Sequence, residues 1–217
     1  MKDFIVAIDG PAGSGKSSIS DIVSKKLGFT HVDTGAFFRA ITLEALRRGI
    51  NLENEDEYSF LDEINVIYKE GKTYLNDEDV SGLIRTPEIS NNVSVPAKLK
   101  KVRERVIDFE RLSSKGKIIM DGRDIGTVVL PNADLKIFLT ASNEERARRR
   151  FEQNKLLGIE SDYNTILKEI IERDKKDSER AIAPLKQAID AIPIDTTKMS
   201  IDEVSNMIIS LINERNE

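Results

Sequence analysis

The sequence contains no cysteine and a single histidine, and none of its apolar runs approaches the length of a membrane span. The lack of cysteine excludes disulfide bonds, thiol catalysis and metal sites built from cysteine. The first residues already have the character of a strand, and no signal or transit segment is recognisable before them. These absences predict a cytoplasmic protein that does not bind a membrane.

The charge of the chain is acidic overall but uneven. It has 217 residues, 33% of them charged and 39% hydrophobic, and a formal net charge of −5. The length predicts one domain or a core with inserted lobes, and the acidic balance argues mildly against a nucleic-acid partner. Arginines are nevertheless concentrated in "RER" at 103–105 and in "RARRR" at 146–150. Such clusters either decorate the surface or bind a small, highly charged anion.

Short apolar segments alternate with segments of helical periodicity along most of the chain. Five apolar segments have the length of a buried parallel strand, namely residues 4–10, 29–35, 117–122, 135–141 and 191–197. Helical sequence is found at 16–28 and 36–49, and it also follows residues 141 and 200. This alternation predicts an α/β fold in which helices cover a parallel five-stranded sheet.

Residues 64–80 interrupt the alternation with strand-like sequence. The stretch "INVIYKEGKTYLNDEDV" predicts a hairpin that turns around Glu70 and Gly71. Sequence of this kind inside an α/β alternation indicates an inserted lobe.

The stretch "GPAGSGKS", residues 10–17, matches the phosphate-binding pattern G-x-x-x-x-G-K-[ST] between a predicted strand and a predicted helix. Its glycines let backbone N–H groups approach phosphate oxygens, and the helix N-terminus adds partial positive charge. Lys16 is expected to reach the β- and γ-phosphates, and the Ser17 hydroxyl to bind Mg²⁺. The loop predicts binding of a nucleoside triphosphate by Gly10, Pro11, Ala12, Gly13, Ser14, Gly15, Lys16, Ser17 and Ser18.

Switches, motors and phosphotransferases share this loop, so other patterns must separate them. A GTPase needs N/T-K-x-D to read guanine, but "NKLL" at 154–157 lacks the aspartate. An ATPase of the ABC type needs a signature like L-S-G-G-Q, which the sequence does not contain. A compact phosphotransferase remains, and the arginine clusters suit it because the planar guanidinium binds phosphate oxygens in pairs.

Four stretches form a recognisable series along the chain, "IDGPAGSGKSS", "DTGAFFRA" (33–40), "DGRDIGTVVLPNADLKIFLTAS" (121–142) and "RDKKDSERAIAPL" (173–185). Together they resemble the bacterial cytidylate kinases. The resemblance implies a three-layer P-loop NTPase fold with a lobe for the nucleoside monophosphate, the acceptor lobe, and a small lid. The implied division is a core at 1–39, 106–142 and 166–217, an acceptor lobe at 40–105 with a β-rich insert at about 62–98, and a lid at 143–165.

The resemblance also implies an activity. It is the transfer of the γ-phosphate of ATP to CMP or dCMP, with Mg²⁺ as cofactor, in pyrimidine nucleotide metabolism. The partners would be these small nucleotides, and we expect a monomer because the sequence has no heptads or long apolar seam. Two alternatives stay open: a kinase for another acceptor such as UMP or AMP, and a nucleotide switch whose arginines bind a partner protein.

Residues that match the family's motifs acquire roles from the same resemblance. It assigns the acceptor phosphate to Arg39, Arg123 and Arg180, the cytosine to Ser94, Arg103 and Asp124, and the ribose hydroxyls to Arg173 and Asp177, with Thr34 nearby. It assigns ATP to the lid residues Arg146 and Arg150, and catalysis to Lys16, Arg123 and Arg180. For Asp124 there is a physical reason, because a carboxylate accepts from the amine of cytosine and repels the carbonyl of uracil.

Some of these side chains also have a simpler structural explanation. On a helix, Arg173, Asp177 and Arg180 share one face, which is either a grip for a sugar phosphate or a solvated ion-pair stripe. Asp124 follows a glycine and an arginine, so it is either the base reader or a helix N-cap or structural ion pair.

Three further positions carry weaker signals. Asp121 ends an apolar strand, as does the aspartate that assists Mg²⁺ in other P-loop proteins. Asp33 is equally suited to capping a helix and to supporting a metal ligand. The single histidine, His31, lies in a predicted strand and is expected to pack rather than to catalyse.

Overall fold

The computed structural model describes residues 3–216. Its strands are β1 (Phe4–Asp9), β2 (Thr30–Asp33), β3 (Val66–Lys69), β4 (Lys72–Leu75), β5 (Glu78–Asp79), β6 (Lys117–Gly122), β7 (Leu135–Thr140) and β8 (Ile192–Asp195). Its α-helices are α1 (Lys16–Leu27), α2 (Thr34–Arg47), α3 (Pro87–Asn92), α4 (Lys100–Leu112), α5 (Asn143–Leu156), α6 (Tyr163–Glu179) and α7 (Ile201–Asn216). A π-helical turn lies at Ile125–Val129. None of the described helices is both long and apolar enough to cross a membrane.

Five parallel strands form the central sheet in the order β2-β6-β1-β7-β8, which confirms the predicted parallel five-stranded sheet. The middle strand β1 is apolar because both of its faces are covered, and Val6, Ala7 and Ile8 have no exposed surface. The carboxyl ends of β1 and β6 lie side by side, with Asp9 opposite Gly122. The loops that follow these two strands therefore meet at one edge of the sheet, where α/β proteins bind their ligands.

Two hydrophobic clusters pack on opposite faces of this sheet and create three layers. Ala7 belongs to the cluster beneath α2 and α4, which includes Phe37 and Phe109. Its neighbours Val6 and Ile8 belong to the cluster on the other face, together with α1 and α7. This alternation follows from the two-residue period of a strand. The predicted three-layer P-loop NTPase fold is confirmed.

The insert is a small antiparallel sheet with the order β3-β4-β5. Lys69 pairs with Lys72, so the hairpin turns at Glu70 and Gly71, as the sequence predicts. The insert does not form a separate core, because Leu75 of β4 belongs to the cluster beneath α2. The boundaries given above for the core, the acceptor lobe and the lid stay a prediction.

The helices α5 and α6 pack against each other around a third, small cluster made by Ala147, Ile166 and Ile170. Ser142 caps α5 by accepting a hydrogen bond from the Glu145 N–H at 3.2 Å. The arginines at 146–150 therefore lie near the N-terminus and middle of a capped helix that is anchored by its neighbour.

The helix α6 ends at Glu179, one residue before Arg180. Arg180 is extended, with φ −62° and ψ 140°, so the predicted helical stripe contains Arg173 and Asp177 only. The backbone oxygen of Asp177 accepts from the Leu185 N–H at 2.8 Å, which folds the following chain back onto the helix end. The expectation that Arg180 continues the helical face is wrong, because it reaches the site from a loop.

Candidate active site

The loop between β1 and α1 has backbone conformations that require glycine. Gly13 and Gly15 have φ of 78° and 93°, in the left-handed region. A Cβ atom on Gly10 would lie 1.9 Å from the backbone oxygen of Leu139 on β7. The helix α1 begins at Lys16, directly after the loop, and its N-terminus adds partial positive charge there. The loop is therefore built as an anion site.

Lys16 is buried against the loop that it follows. Its Nζ donates to the backbone oxygens of Gly10 and Pro11, each at 2.8 Å. Burial lowers the pKa of Lys16 well below its usual value, and the charge of Arg123 adds to this effect. An anion in the adjoining cavity, which Lys16 lines, would favour the charged form of the lysine.

Ser17, Asp121 and His31 form a chain of hydrogen bonds at the end of β6. The Ser17 hydroxyl donates to Oδ2 of Asp121 at 2.8 Å, and His31 Nε2 lies 2.6 Å from Oδ1. Burial acts to raise the pKa of Asp121, but the hydrogen bond with His31 and other favourable interactions outweigh it and keep that pKa below its usual value. Hydroxyl and carboxylate oxygens suit Mg²⁺, so Ser17 and Asp121 fit this ion. Within residues 3–216, no group of three or more His, Asp or Glu side chains is arranged so that it could hold a metal ion.

Asp124 is a buried carboxylate that two arginines from distant parts of the chain bind. Arg103 Nη2 on α4 lies 2.5 Å from Oδ2, and Arg180 Nη2 lies 3.2 Å from Oδ1. The Asp124 side chain makes no capping hydrogen bond to the π-helical turn that follows it. Of the two structural alternatives, the ion pair is therefore the one observed, and Asp124 also lines the cavity.

Asp177 and Arg123 form a second ion pair at the cavity. Arg123 Nε donates to Asp177 Oδ2 at 3.0 Å. Burial acts to raise the pKa of Asp177, but the charges of Arg123 and Arg173 outweigh it and hold that pKa below its usual value. Burial lowers the pKa of Arg173 to about 10, and the charge of Arg123 adds to this effect. The Asp177 carboxylate is therefore ionised among several guanidinium groups.

Arg39 on α2 is incompletely satisfied by residues 3–216. Its Nη1 lies 3.9 Å from Asp33 Oδ2, an oxygen that is also 3.4 Å from Arg85 Nη2. Asp33 occupies the N-cap position of α2, but its side chain makes no capping hydrogen bond. Within the described chain, the Nε atoms of Arg39 and Arg173 are buried without a hydrogen-bond partner. Unsatisfied guanidinium groups of this kind favour an anionic ligand.

A cavity of about 260 Å³ brings most of the predicted site residues together. Its lining includes Ala12, Gly13, Gly15, Lys16, Ser17 and Ser18 from the loop, and Thr34, Arg39, Ser94, Arg123, Asp124, Arg150, Arg173, Asp177 and Arg180. An adjoining cavity of about 770 Å³ shares part of the loop and is also lined by Arg146, Arg149 and residues 199–201. The residues predicted for two different nucleotides thus lie in one cleft.

A few predicted residues lie behind the cavity linings. These are Gly10, Pro11, Ser14 and Arg103. Arg146 lines the larger cavity, but its guanidinium is engaged within the protein. It donates to the backbone oxygens of Ala12 at 2.9 Å and Ala141 at 3.1 Å, and it pairs with Asp174 on α6. The ligand contacts of Arg103 and Arg146 stay predictions.

Two buried carboxylates beside the site were missed by the reasoning from sequence. Asp9 accepts from the N–H groups of Ile125 and Gly126 at 2.8 and 2.7 Å, and thereby holds the segment after Asp124. Burial raises the pKa of Asp9 to about 6. Burial, and then the charge of Asp124, raise the pKa of Glu110 well above its usual value. The position of Asp9 at the end of an apolar strand could have indicated a buried functional carboxylate. Glu110 lies in a helix with many charged residues, and nothing in its sequence context distinguishes it.

The protein has a glycine-rich phosphate-binding loop at the edge of a parallel sheet, and this loop opens into an arginine-rich cleft. These two features define a P-loop phosphotransferase. The family model described as "Cytidylate kinase" matches residues 6–214. The chain belongs to the cytidylate kinase family, and it is a nucleoside monophosphate kinase.

Relatives of known name agree over almost the whole chain. The cytidylate kinase of an Exiguobacterium species is 50% identical and covers 98% of this chain and 98% of its own. The cytidylate kinase of Bacillus subtilis is 47% identical and covers 99% of this chain and 98% of its own. Among solved structures, an uncharacterized protein from Eubacterium ventriosum has a TM-score of 0.56 at 13% identity, over 98% of this chain and 100% of that one. Shikimate kinase from Bacteroides thetaiotaomicron has a TM-score of 0.50 at 10% identity, over 97% and 98%, and both similarities concern the fold alone.

Proposed function

We propose that the protein transfers the γ-phosphate of ATP to CMP or dCMP and releases ADP with CDP or dCDP. The observation that carries this proposal is a single cleft in which the phosphate loop adjoins the ion pairs of Asp124 with Arg180 and Asp177 with Arg123. Membership of the cytidylate kinase family supports it. The reaction belongs to pyrimidine nucleotide metabolism, and we place the protein in the cytoplasm.

The donor site is built on the loop between β1 and α1. Backbone N–H groups of residues 10–18 would bind phosphate oxygens, and Lys16 would pair with the β- and γ-phosphates. Ser17, supported by Asp121, would hold Mg²⁺, which when bound neutralises charge on these phosphates. Arg146 and Arg150 line the larger cavity, and we assign them to ATP as well.

Asp124 reads the base in this proposal. Its carboxylate would accept from the exocyclic amine of cytosine and repel the carbonyl of uracil. Arg103 and Arg180 bind its two oxygens and keep the carboxylate in one orientation. Ser94 and Thr34 line the same cavity, and their hydroxyl groups would contribute to the acceptor side.

The sugar and phosphate of the acceptor are assigned to the charged residues around Asp124. Asp177 would accept from the ribose hydroxyls, and Arg173, one helical turn earlier, would orient it. The acceptor phosphate is assigned to Arg39, Arg123 and Arg180. The buried Nε atoms of Arg39 and Arg173, which have no partner within the described residues, support an anionic ligand here.

The cleft would act by positioning and charge stabilisation. Lys16, Arg123 and Arg180 line one cavity, and their charges would offset the charge of the phosphoryl group in transfer. The acceptor phosphate is already ionised, so the reaction needs no general base. Closure of the lid, residues 143–165, over ATP would exclude water and direct the phosphate to CMP.

We assign the protein no partner other than these nucleotides. The net charge of −5 disfavours nucleic acid, and we propose neither a nucleic-acid nor a membrane partner. The proposed working unit is a monomer with the core, acceptor lobe and lid described above.

An assay of ADP release tests the proposal with CMP, dCMP, UMP and AMP as acceptors. We expect turnover with Mg²⁺ and ATP to depend on CMP or dCMP and to be much slower with UMP or AMP. A preference for UMP or AMP would indicate another acceptor class. A rate of ADP release that does not change with any of the acceptors would instead indicate a nucleotide switch, and it would contradict the proposal.

A further inference from the structure

His31, the single histidine of the chain, lies on β2 at the edge of the central sheet. Its register partner on β6 is Ile119, whose side chain belongs to the cluster beneath α1. Residues two apart on a strand point to the same side, so Asp121 faces α1 as well. Ser17 lies in the first turn of α1, and the side chains of His31, Asp121 and Ser17 therefore meet.

Both oxygens of the Asp121 carboxylate are engaged in this contact. Oδ2 accepts from the Ser17 hydroxyl at 2.8 Å, and Oδ1 lies 2.6 Å from His31 Nε2. An ionised carboxylate only accepts, so the protons belong to the serine and to Nε2 of the histidine. The side chains of His31 and Asp121 are 11% and 3% exposed, which limits replacement of either partner by water. The lone pairs of Ser17 are then directed away from Asp121.

The acceptor lobe supports the other side of the imidazole ring. Tyr68 of β3 packs edge-on against it, with ring centroids 6.2 Å apart and planes at 68°. Asp33 and Asp21 are further carboxylates whose charges act on the ring. The ring is thus fixed between the inserted sheet and the carboxylate at the phosphate loop.

We propose that His31 is a positioning residue for the donor site: through Asp121 it fixes the Ser17 hydroxyl in the orientation that binds Mg²⁺ together with ATP. This proposal rests on the proposed use of ATP with Mg²⁺. A ring that only packs needs no hydrogen bond to Asp121. Loss of an outer partner of a metal site lowers metal affinity by roughly 10–100-fold.

Calorimetric titration of ATP without any acceptor tests this role, once with excess Mg²⁺ and once with EDTA. We expect His31→Leu to reduce the Mg²⁺-dependent gain in ATP affinity about tenfold, with little change in EDTA. His31→Gln should restore most of the gain, because its amide N–H can donate to Asp121. Thr30→Val, at the exposed neighbouring position, is the matched control and should behave like the unmodified protein. A full Mg²⁺-dependent gain in folded His31→Leu would overturn the proposal.

Nitrogen-15 NMR of the unmodified protein gives a second test that does not depend on a variant folding. One histidine yields one pair of imidazole nitrogen signals, from Nδ1 and Nε2. We expect a protonated Nε2 whose proton exchanges slowly with water, and a shift on adding ATP with Mg²⁺ that ATP with EDTA does not cause. A rapidly exchanging proton, or the same shift in EDTA, would contradict the role. Neither test contains CMP, so failure of the proposed transfer reaction would appear separately, in the acceptor assay.

Discussion

Arg180 and Asp124 are joined by a hydrogen bond of 3.2 Å although 56 positions separate them in the chain. Arg103 binds the other oxygen of the same carboxylate, from α4. Asp124, the proposed base reader, is therefore held in place by two arginines of the protein itself.

Asp124→Asn should narrow the preference for CMP over UMP. The amide replaces a charged acceptor by a neutral group, and a hydrogen bond to a charged group contributes about 1.5–3 kcal/mol. We expect kcat/KM for CMP to fall by roughly 10–100-fold and that for UMP to fall less. Steady-state kinetics with both acceptors measure the change.

ATP affinity should stay within about threefold in Asp124→Asn, because the residue belongs to the acceptor side. The exposed variant Asp108→Asn on α4 is the control. Equal losses for CMP, UMP and ATP would argue that Asp124 is a structural ion pair and not a base reader.

Lys16→Met should abolish most of the activity. Lys16 carries the charge assigned to the β- and γ-phosphates, and its Nζ also ties the loop together through Gly10 and Pro11. Removing one group that stabilises transferred charge lowers kcat by about 100–1000-fold. Lys25→Met, on an exposed face of the same helix, should leave kcat within about twofold. Activity of Lys16→Met near that of the unmodified protein would refute the assignment.

Arg146→Lys should destabilise the fold and weaken ATP binding together. Arg146 is almost completely buried and joins Ala12 of the phosphate loop to Asp174 of α6. Lysine cannot reproduce the planar fork, so we expect a loss of about 2–4 kcal/mol in the free energy of unfolding. Urea denaturation measures the loss, and KM for ATP should rise.

The matched control for this variant is Arg148→Lys. The Arg148 side chain is 60% exposed and pairs with Glu145 one turn earlier, so its replacement should leave the free energy of unfolding almost unchanged. Similar losses of unfolding free energy in both variants would show that the buried contacts of Arg146 do not stabilise the fold more than the exposed pair of Arg148 does.

The buried carboxyl of Asp9 should lower the free energy of unfolding as the pH rises from 5 to 7. Its pKa is raised to about 6 in the folded protein by burial, above its value in an unfolded chain. As pH rises through this range, the folded protein must release a proton that the unfolded chain has already lost. We expect the contribution of Asp9 to decrease by about 1 kcal/mol from pH 5 to pH 7.

Comparison with Asp9→Asn isolates this contribution from those of other groups. The free energies of unfolding of both proteins are measured at pH 5 and pH 7. We expect the stability of Asp9→Asn, relative to the unmodified protein, to be greater at pH 7 than at pH 5. The exposed variant Asp62→Asn is the control. A constant difference between Asp9→Asn and the unmodified protein at both pH values would contradict the prediction.

Local patterns were enough to predict the scaffold. The loop at residues 10–17, the five strands and the hairpin at Glu70 and Gly71 each depend on a short stretch, whose glycines or apolar spacing act on their own backbone. Reasoning from sequence also named the residues that now line one cleft, although only through a resemblance to known kinases.

Contacts between distant residues could not be read in the same way. His31 looked like a packing residue, and it does pack on Tyr68, but its hydrogen bond with Asp121 spans 90 positions. Arg180 was expected on a helix and lies beyond its end. No local period predicts such contacts, because they arise only when strands and helices from different parts of the chain pack together.

The amino-acid order determined the glycine loop, the parallel sheet and the supply of arginines and carboxylates. Packing decided which of these charges pair, which buried guanidinium nitrogens have no partner among the described residues, and which groups, like Asp9, are buried at a shifted pKa. The physical reason is that burial and charge proximity depend on distance in space, whereas backbone conformation depends mainly on near neighbours in the chain.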